Sequence, residues 1–105
     1  MSDRILSLLS LATKAGKTTG GSMLVEKAVK EGKASLVILS SEVSQNTRKK
    51  FTNMCTYYNV PLYTYGTKEE LGKFTGKEFR AVIALQGRDF YDSFVKAFTN
   101  MEVTE

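Results

Sequence analysis

The chain has 105 residues, with 15 Lys+Arg against 11 Asp+Glu, a formal charge of +4 and no His. At 42% hydrophobic and 25% charged it has a globular composition, and its length suits one domain, 1–105, with one core that needs no staples. One Cys and no His exclude an intramolecular disulfide, a His-based catalytic triad and a tetrahedral Cys/His zinc site, and the apolar runs, such as Leu36 to Leu39, are too short to span a bilayer.

Asp3 and Arg4 precede the first apolar residues and no small-residue cleavage site follows, so no signal peptide is read. A cytoplasmic protein with reduced Cys55 is expected. Ser2 or Asp3 caps a first helix, in which Ile5, Leu8, Leu9 and Ala12 follow at helical spacing until Gly16 stops it. Lys17 to Thr19 reads as a short strand and Gly20-Gly21 as a turn. Ser22 then caps a second helix that ends before Gly32. The apolar run from Ser35 to Ser40 predicts a strand buried on both faces, as in a sheet covered by helices. Ser44 caps a third helix reaching Tyr58, whose apolar stripe is Thr47, Phe51, Met54, Cys55 and Tyr58. Val60 to Tyr65 is the next strand, with Pro61 near its start, where a missing donor is tolerated. Thr67 to Glu70 is a capping box opening a short helix that ends near Phe74. Arg80 to Leu85 is a further buried strand. Asp89 opens a last helix with Phe90, Phe94, Val95 and Phe98 facing in, and the residues after about Asn100 are expected to fray.

Strands alternating with helices predict an α/β protein, a three-layer α/β/α sandwich. The three long strands, joined by helical crossovers, are expected to be parallel. An antiparallel Lys17–Thr19 strand makes the sheet mixed.

Charge is uneven along the chain. Lys14 to Lys33 carries a local +3, Asn46 to Arg80 a local +4, and Gly87 to Glu105 a local −2. Two basic stretches suit a polyanion partner, although solvated helix faces look the same in sequence. The motifs of enzyme classes do not close. Gly16-Lys17-Thr18 resembles the end of a phosphate-binding loop, but Leu11 stands where its first Gly is needed, inside a helix. A phosphorylatable receiver domain needs carboxylates at strand ends, and the strands ending at Ser40, Tyr65 and Leu85 have none. Cys55 lies on an apolar stripe without a His to activate it and reads as a small buried hydrophobe. Tyr58 is read as core, and the strand tyrosines Tyr63 and Tyr65 as sheet packing.

The second helix says more. Leu24, Val25, Ala28 and Val29 fall on one arc, leaving Met23, Lys27 and Lys30 as an outward ridge with Glu26. The ridge begins at a helix amino end behind Gly20 and Gly21, where unpaired amides suit a phosphate. A second candidate is the loop Thr75-Gly76-Lys77-Glu78-Phe79-Arg80, with two cations and a large apolar residue. If the Lys17–Thr19 strand lies antiparallel beside the strand starting at Arg80, both candidates share one end of the sheet.

In this order, Gly20-Gly21 before Glu26-Lys27-Ala28-Val29, then Ala34 to Leu39, Val60-Pro61-Leu62-Tyr63, Leu71-Gly72-Lys73 and Gly76 resemble the ribosomal kink-turn-binding superfamily, which includes ribosomal proteins L-seven-Ae and L-thirty-e. The opening Leu8 to Lys17 and the run Asn46 to Lys50 look most like its small bacterial, YlxQ-type branch. The resemblance implies an α/β/α sandwich with a mixed four-stranded sheet, binding of structured, kink-turn-like RNA (ribosomal RNA among the candidates), and no catalysis or cofactor. It implies an RNA site made of Gly20, Gly21, Ser22, Met23 and Lys27, with Lys77, Glu78, Phe79 and Arg80; the ridge adds Lys30. The family's reading pattern is Gly-x-Asn-Glu-x-x-Lys. Gly21 and Lys27 match it, while Met23 and Leu24 stand in place of the two polar readers. Loss of those readers leaves a protein-interaction module on the same fold as the alternative. No membrane or small-molecule substrate is expected, and the chain is expected to be a monomer.

Overall fold

The structure, a computed structural model, describes residues 3–103. Among them are five helices and four strands, in the order α1 (Arg4–Lys14), β1 (Thr18–Gly20), α2 (Ser22–Lys30), β2 (Ala34–Leu39), α3 (Gln45–Tyr57), β3 (Leu62–Thr64), α4 (Lys68–Lys73), β4 (Val82–Gln86) and α5 (Tyr91–Val103). Asp3 caps α1, its side chain accepting from the Leu6 amide at 3.0 Å; the alternative cap, Ser2, lies outside the described residues. The helix ends as expected, at Gly16 with φ +73°, where the Lys17 and Gly16 amides donate back to the Ala12 and Thr13 carbonyls. The capping box of Thr67 and Glu70 is present on α4. Helix α5 runs beyond Asn100 to Val103, and residues 104–105 lie outside the described residues. Asp89 does not cap it: the helix starts at Tyr91, and Asp89 pairs with Lys17 at 3.4 Å.

The strands form one mixed sheet in the order β1-β4-β2-β3. β2 and β3 are parallel, whereas β4 runs antiparallel to both β1 and β2. The expectation that all three long strands are parallel therefore fails for β4. The reason is reach. Helix α3, 13 residues or about 20 Å long, carries the chain back along the sheet to start β3 beside β2. Helix α4 has six residues, about 9 Å, too few to make the return. β4 therefore begins opposite Leu39, at the end of the sheet where Thr64 closes β3.

Both faces of the sheet are buried. Leu36, Ile38, Ile83 and Leu85 point to one side and pack with Ile5, Leu9, Leu71, Phe94 and Phe98 from α1, α4 and α5. Val37, Leu39, Val82 and Ala84 point to the other and pack with Val25, Val29, Phe51 and Cys55 from α2 and α3. This alternation explains the unbroken apolar run of β2. Each fully buried Leu, Ile or Phe contributes about 1.5–3 kcal/mol. Tyr63 and Tyr65 pack on the Phe98 ring, as sheet packing required. Burial pushes the Cys55 thiol up to about 11, which keeps it protonated and inert.

Two expected core residues are outside. Leu24 is 58% exposed, because the buried face of α2 is only as wide as Val25, Ala28 and Val29. Tyr58 is also exposed. It is the C-cap of α3, where the chain leaves the helix through Asn59 at φ +58°, and its ring meets Tyr57 edge-on.

Candidate nucleic-acid interface

Gly20 and Gly21 form the corner between β1 and α2. Gly20 belongs to the strand, opposite Ile83, rather than to a turn. Gly21 has φ +95° and donates its amide to the Val82 carbonyl at 3.0 Å, pinning the corner to the start of β4. It is the N-cap of α2, and no side chain caps the helix; Ser22, expected in that role, is the first helical residue. The first-turn amides of α2 are thus left for solvent or a ligand.

The side chain lying over this corner is that of Arg80. A Cβ placed on Gly20 would sit 2.7 Å from Arg80 Nε, and one on Gly21 would sit 3.3 Å from Nη1. The missing side chain at residue 20 is the space the guanidinium fills. Arg80 precedes β4 rather than starting it. It is held there from behind: its amide donates to the Lys68 carbonyl at 3.0 Å, and that of Lys77 to the Gly72 carbonyl at 2.8 Å. Gly72 lets the loop approach, since a Cβ on it would lie 2.6 Å from the Glu78 carbonyl oxygen and 2.7 Å from the Phe79 nitrogen. Gly72 is a site-building residue that the reading of candidate site residues did not single out. Its signal was a glycine inside a six-residue helix, where it weakens the helix unless packing requires it.

Two grooves flank the edge strand β1. On the α1 and α4 side, one of about 160 Å³ is lined by Thr13, Thr18, Gly20, Thr75, Lys77 and Arg80. On the α2 side, another of about 210 Å³ is lined by Thr19, Leu24, Lys27, Lys33 and Gln86. Among the described residues Lys27, Lys77 and Arg80 make no ion pair, whereas Lys33 is paired with Glu31 at 3.4 Å. An exposed strand edge is thus straddled by unneutralised cations and threonine hydroxyls. Around it stand exposed apolar side chains: Met23 at 81%, Leu24 at 58% and Phe79 at 60%.

The structure thus brings Gly20, Gly21, Lys77 and Arg80 together, with Ser22, Met23 and Lys27 continuing along α2, and Glu78 and Phe79 exposed on the loop. Lys30 is separate. It lies eight residues, about 12 Å, beyond Ser22 along the helix. Its ammonium donates to Glu26 at 2.8 Å, and Lys50 of α3 meets the same carboxylate at 2.9 Å. These two hydrogen bonds hold the Glu26 carboxyl down to about 2 and raise the Lys30 pKa in return. Lys30 is part of a surface clasp between α2 and α3.

The family profile described as the ribosomal protein L7Ae/L30e/S12e/Gadd45 family matches residues 3–94. The chain is 39% identical over 88 residues to the RNA-binding protein YlxQ of Bacillus subtilis, covering 84% of this chain and 88% of that one. It is 35% identical over 74 residues to the large ribosomal subunit protein eL30 of Sulfurisphaera tokodaii, covering 70% of each. The solved structure of a protein of unknown function from Bacillus halodurans superposes with a TM-score of 0.89 at 35% identity, covering 93% of this chain and 99% of that one. Sequence and fold therefore agree, and the chain belongs to the ribosomal protein L7Ae/L30e/S12e/Gadd45 family.

Proposed function

We propose that this chain is a non-enzymatic RNA-binding protein of the cytoplasm, ribosomal or ribosome-associated, that grips structured, kink-turn-like RNA at the Gly20–Gly21 corner. The observation that carries this reading is the Arg80 guanidinium lying over two glycines at an uncapped helix start, with Lys77 and Lys27 unpaired nearby. The names of its YlxQ and eL30 relatives support the RNA and ribosomal parts. In this reading the amides of the corner and the three cations hold phosphates, and Met23 and Phe79 pack on bases or sugars. Folded RNA is recognised by shape, phosphates and unstacked bases, and such a surface serves all three. Met23 and Leu24 offer no polar group to a base edge, so binding depends on backbone shape more than on base identity.

One observation favours a second reading. Met23, Leu24 and Phe79 together are a rim of exposed apolar side chains, which suits a protein partner instead. Titration with a kink-turn RNA, a variant with its G·A pairs disrupted, and an unrelated hairpin separates the two. The RNA reading predicts binding of the kink-turn at or below about micromolar Kd, with weaker binding of the hairpin. No binding to any of the three below tens of micromolar gives the surface to a protein.

A further inference from the structure

A cavity separate from the corner lies at the other end of the sheet. The register places the start of β2 beside the end of β4, five residues and about 17 Å along β2 from the Val82 end where Gly21 is pinned. There the ends of α2 and α3 and the segment leading into α5 border an open cleft of about 450 Å³, a volume within the range of sites for small ligands. Its walls include Tyr58, Asn59, Arg88 and Tyr91, Val29 and Val60 supply apolar surface, and the one carboxylate on the wall, Glu31, is paired with Lys33 at 3.4 Å.

These walls have a specific chemistry. The Arg88 guanidinium carbon stands 4.4 Å from the centre of the Tyr91 ring, so the cation rests against an aromatic face. Among the described residues it has no carboxylate partner. Its planar fork is free to take a phosphate on two oxygens. Tyr58 offers a half-open aromatic face, and the Asn59 amide offers both donors and an acceptor. Lys30 also reaches this cavity, but its charge is held by Glu26. Helices α2 and α3 both end here, and their carbonyl ends disfavour an anion beside them while accepting amino groups, which leaves the Arg88 side for a phosphate. One side of the cavity is thus suited to a phosphate and the other to a planar, hydrogen-bonding ring.

We infer that this cavity binds a nucleoside phosphate, with its base between Tyr58 and Asn59 and its phosphate on Arg88. The ligand is either a free mononucleotide or one splayed nucleotide of a strand, and the chemistry is the same. The inference does not rest on the corner reading, because the residues that would hold the ligand, Tyr58, Asn59 and Arg88, line neither groove beside β1; Glu31 alone borders both this cavity and the α2-side groove.

The test titrates the full chain, labelled with nitrogen-15, with AMP, GMP, CMP and UMP, with ribose 5-phosphate, and with an unstructured RNA octamer. Saturable shifts are expected at the amides of Asn59, Val60, Arg88 and Tyr91, with those of Gly20, Gly21 and Arg80 unmoved. Ribose 5-phosphate, lacking the base, should bind more weakly than any monophosphate. Arg88→Gln, at an exposed position, should weaken binding at least about tenfold. Asn59→Gly keeps the positive φ and should change the ranking of the four bases. Response to the monophosphates identifies a free nucleotide, and response to the octamer alone identifies a strand. No saturable shift at this end with any probe, or an Arg88→Gln variant that binds unchanged, overturns the assignment. Neither result touches RNA binding at the corner, which Lys77 and Arg80 variants read separately.

Discussion

Replacing Arg80 by Ala is expected to lower the affinity for structured RNA about ten- to a hundredfold while leaving the fold intact. The guanidinium rests on Gly20 and Gly21 without a carboxylate partner, so removing it orphans no buried charge. A charge-assisted hydrogen bond to phosphate contributes about 1.5–3 kcal/mol, which is the stated range of affinity. On the proposed reading Lys27, Lys77 and Arg80 with the helix start neutralise about three to five phosphates, so log K should fall against log salt with a slope of about −2 to −4.5. Arg80→Ala should make that slope shallower by about 1. Equal affinity and slope in variant and parent would remove Arg80 from the interface. Lys27→Ala, as a phosphate contact, should weaken every RNA similarly.

Replacing Gly72 by Ala should be damaging for a different reason. Ala is favoured over Gly in a helix by about 1 kcal/mol, so at an open site Tm would rise. Here the added Cβ meets backbone atoms of Glu78 and Phe79 at 2.6–2.7 Å, and backbone cannot swing aside as a side chain would. Overpacking of this kind costs about 1–3 kcal/mol. The two together give a net loss of up to about 2 kcal/mol, and each kcal/mol lowers Tm by about 4–8 °C in a domain of this size. The loop lifts from α4 and takes Lys77 and Arg80 with it, so RNA affinity falls even well below Tm. Thermal unfolding by circular dichroism, paired with RNA titration, checks both effects. A raised Tm with unchanged affinity would mean the loop is not seated on Gly72.

The elements of this protein were legible where local chemistry decides them. Ser44, Thr67 and Asp3 cap helices as their side chains allow, Gly16 stops α1, and the apolar run of β2 follows from burial on both faces. Direction was harder. Strand–helix–strand order implies a parallel pair only if the helix is long enough to return the chain, and the six residues of α4 are not. That same shortfall leaves the Lys77–Arg80 loop at the Gly21 end, so the feature that defeated the topology rule is the one that assembles the corner. The adjacency of β1 and β4, stated as a condition, is the pairing observed. Leu24 was misplaced because a plot at about 100° per residue counts periodicity and not the width of the surface beneath it. Lys30 was placed on the ridge because sequence does not show that it and Lys50 close on Glu26. Gly20 and Gly21 were legible as a place of close approach, but their intramolecular visitor, Arg80, lies sixty residues away in sequence.

Ultraviolet crosslinking of the chain to a bound kink-turn RNA, with the linked peptides identified by mass spectrometry, tests the corner most directly. Crosslinks are expected on the peptides carrying Met23 and Phe79, together and in proportion to RNA bound, and both should fade in Arg80→Ala. Crosslinks confined to the outer face of α3 or to the Arg88 end of the sheet, with Met23 and Phe79 unmarked, would contradict an RNA grip at Gly20–Gly21.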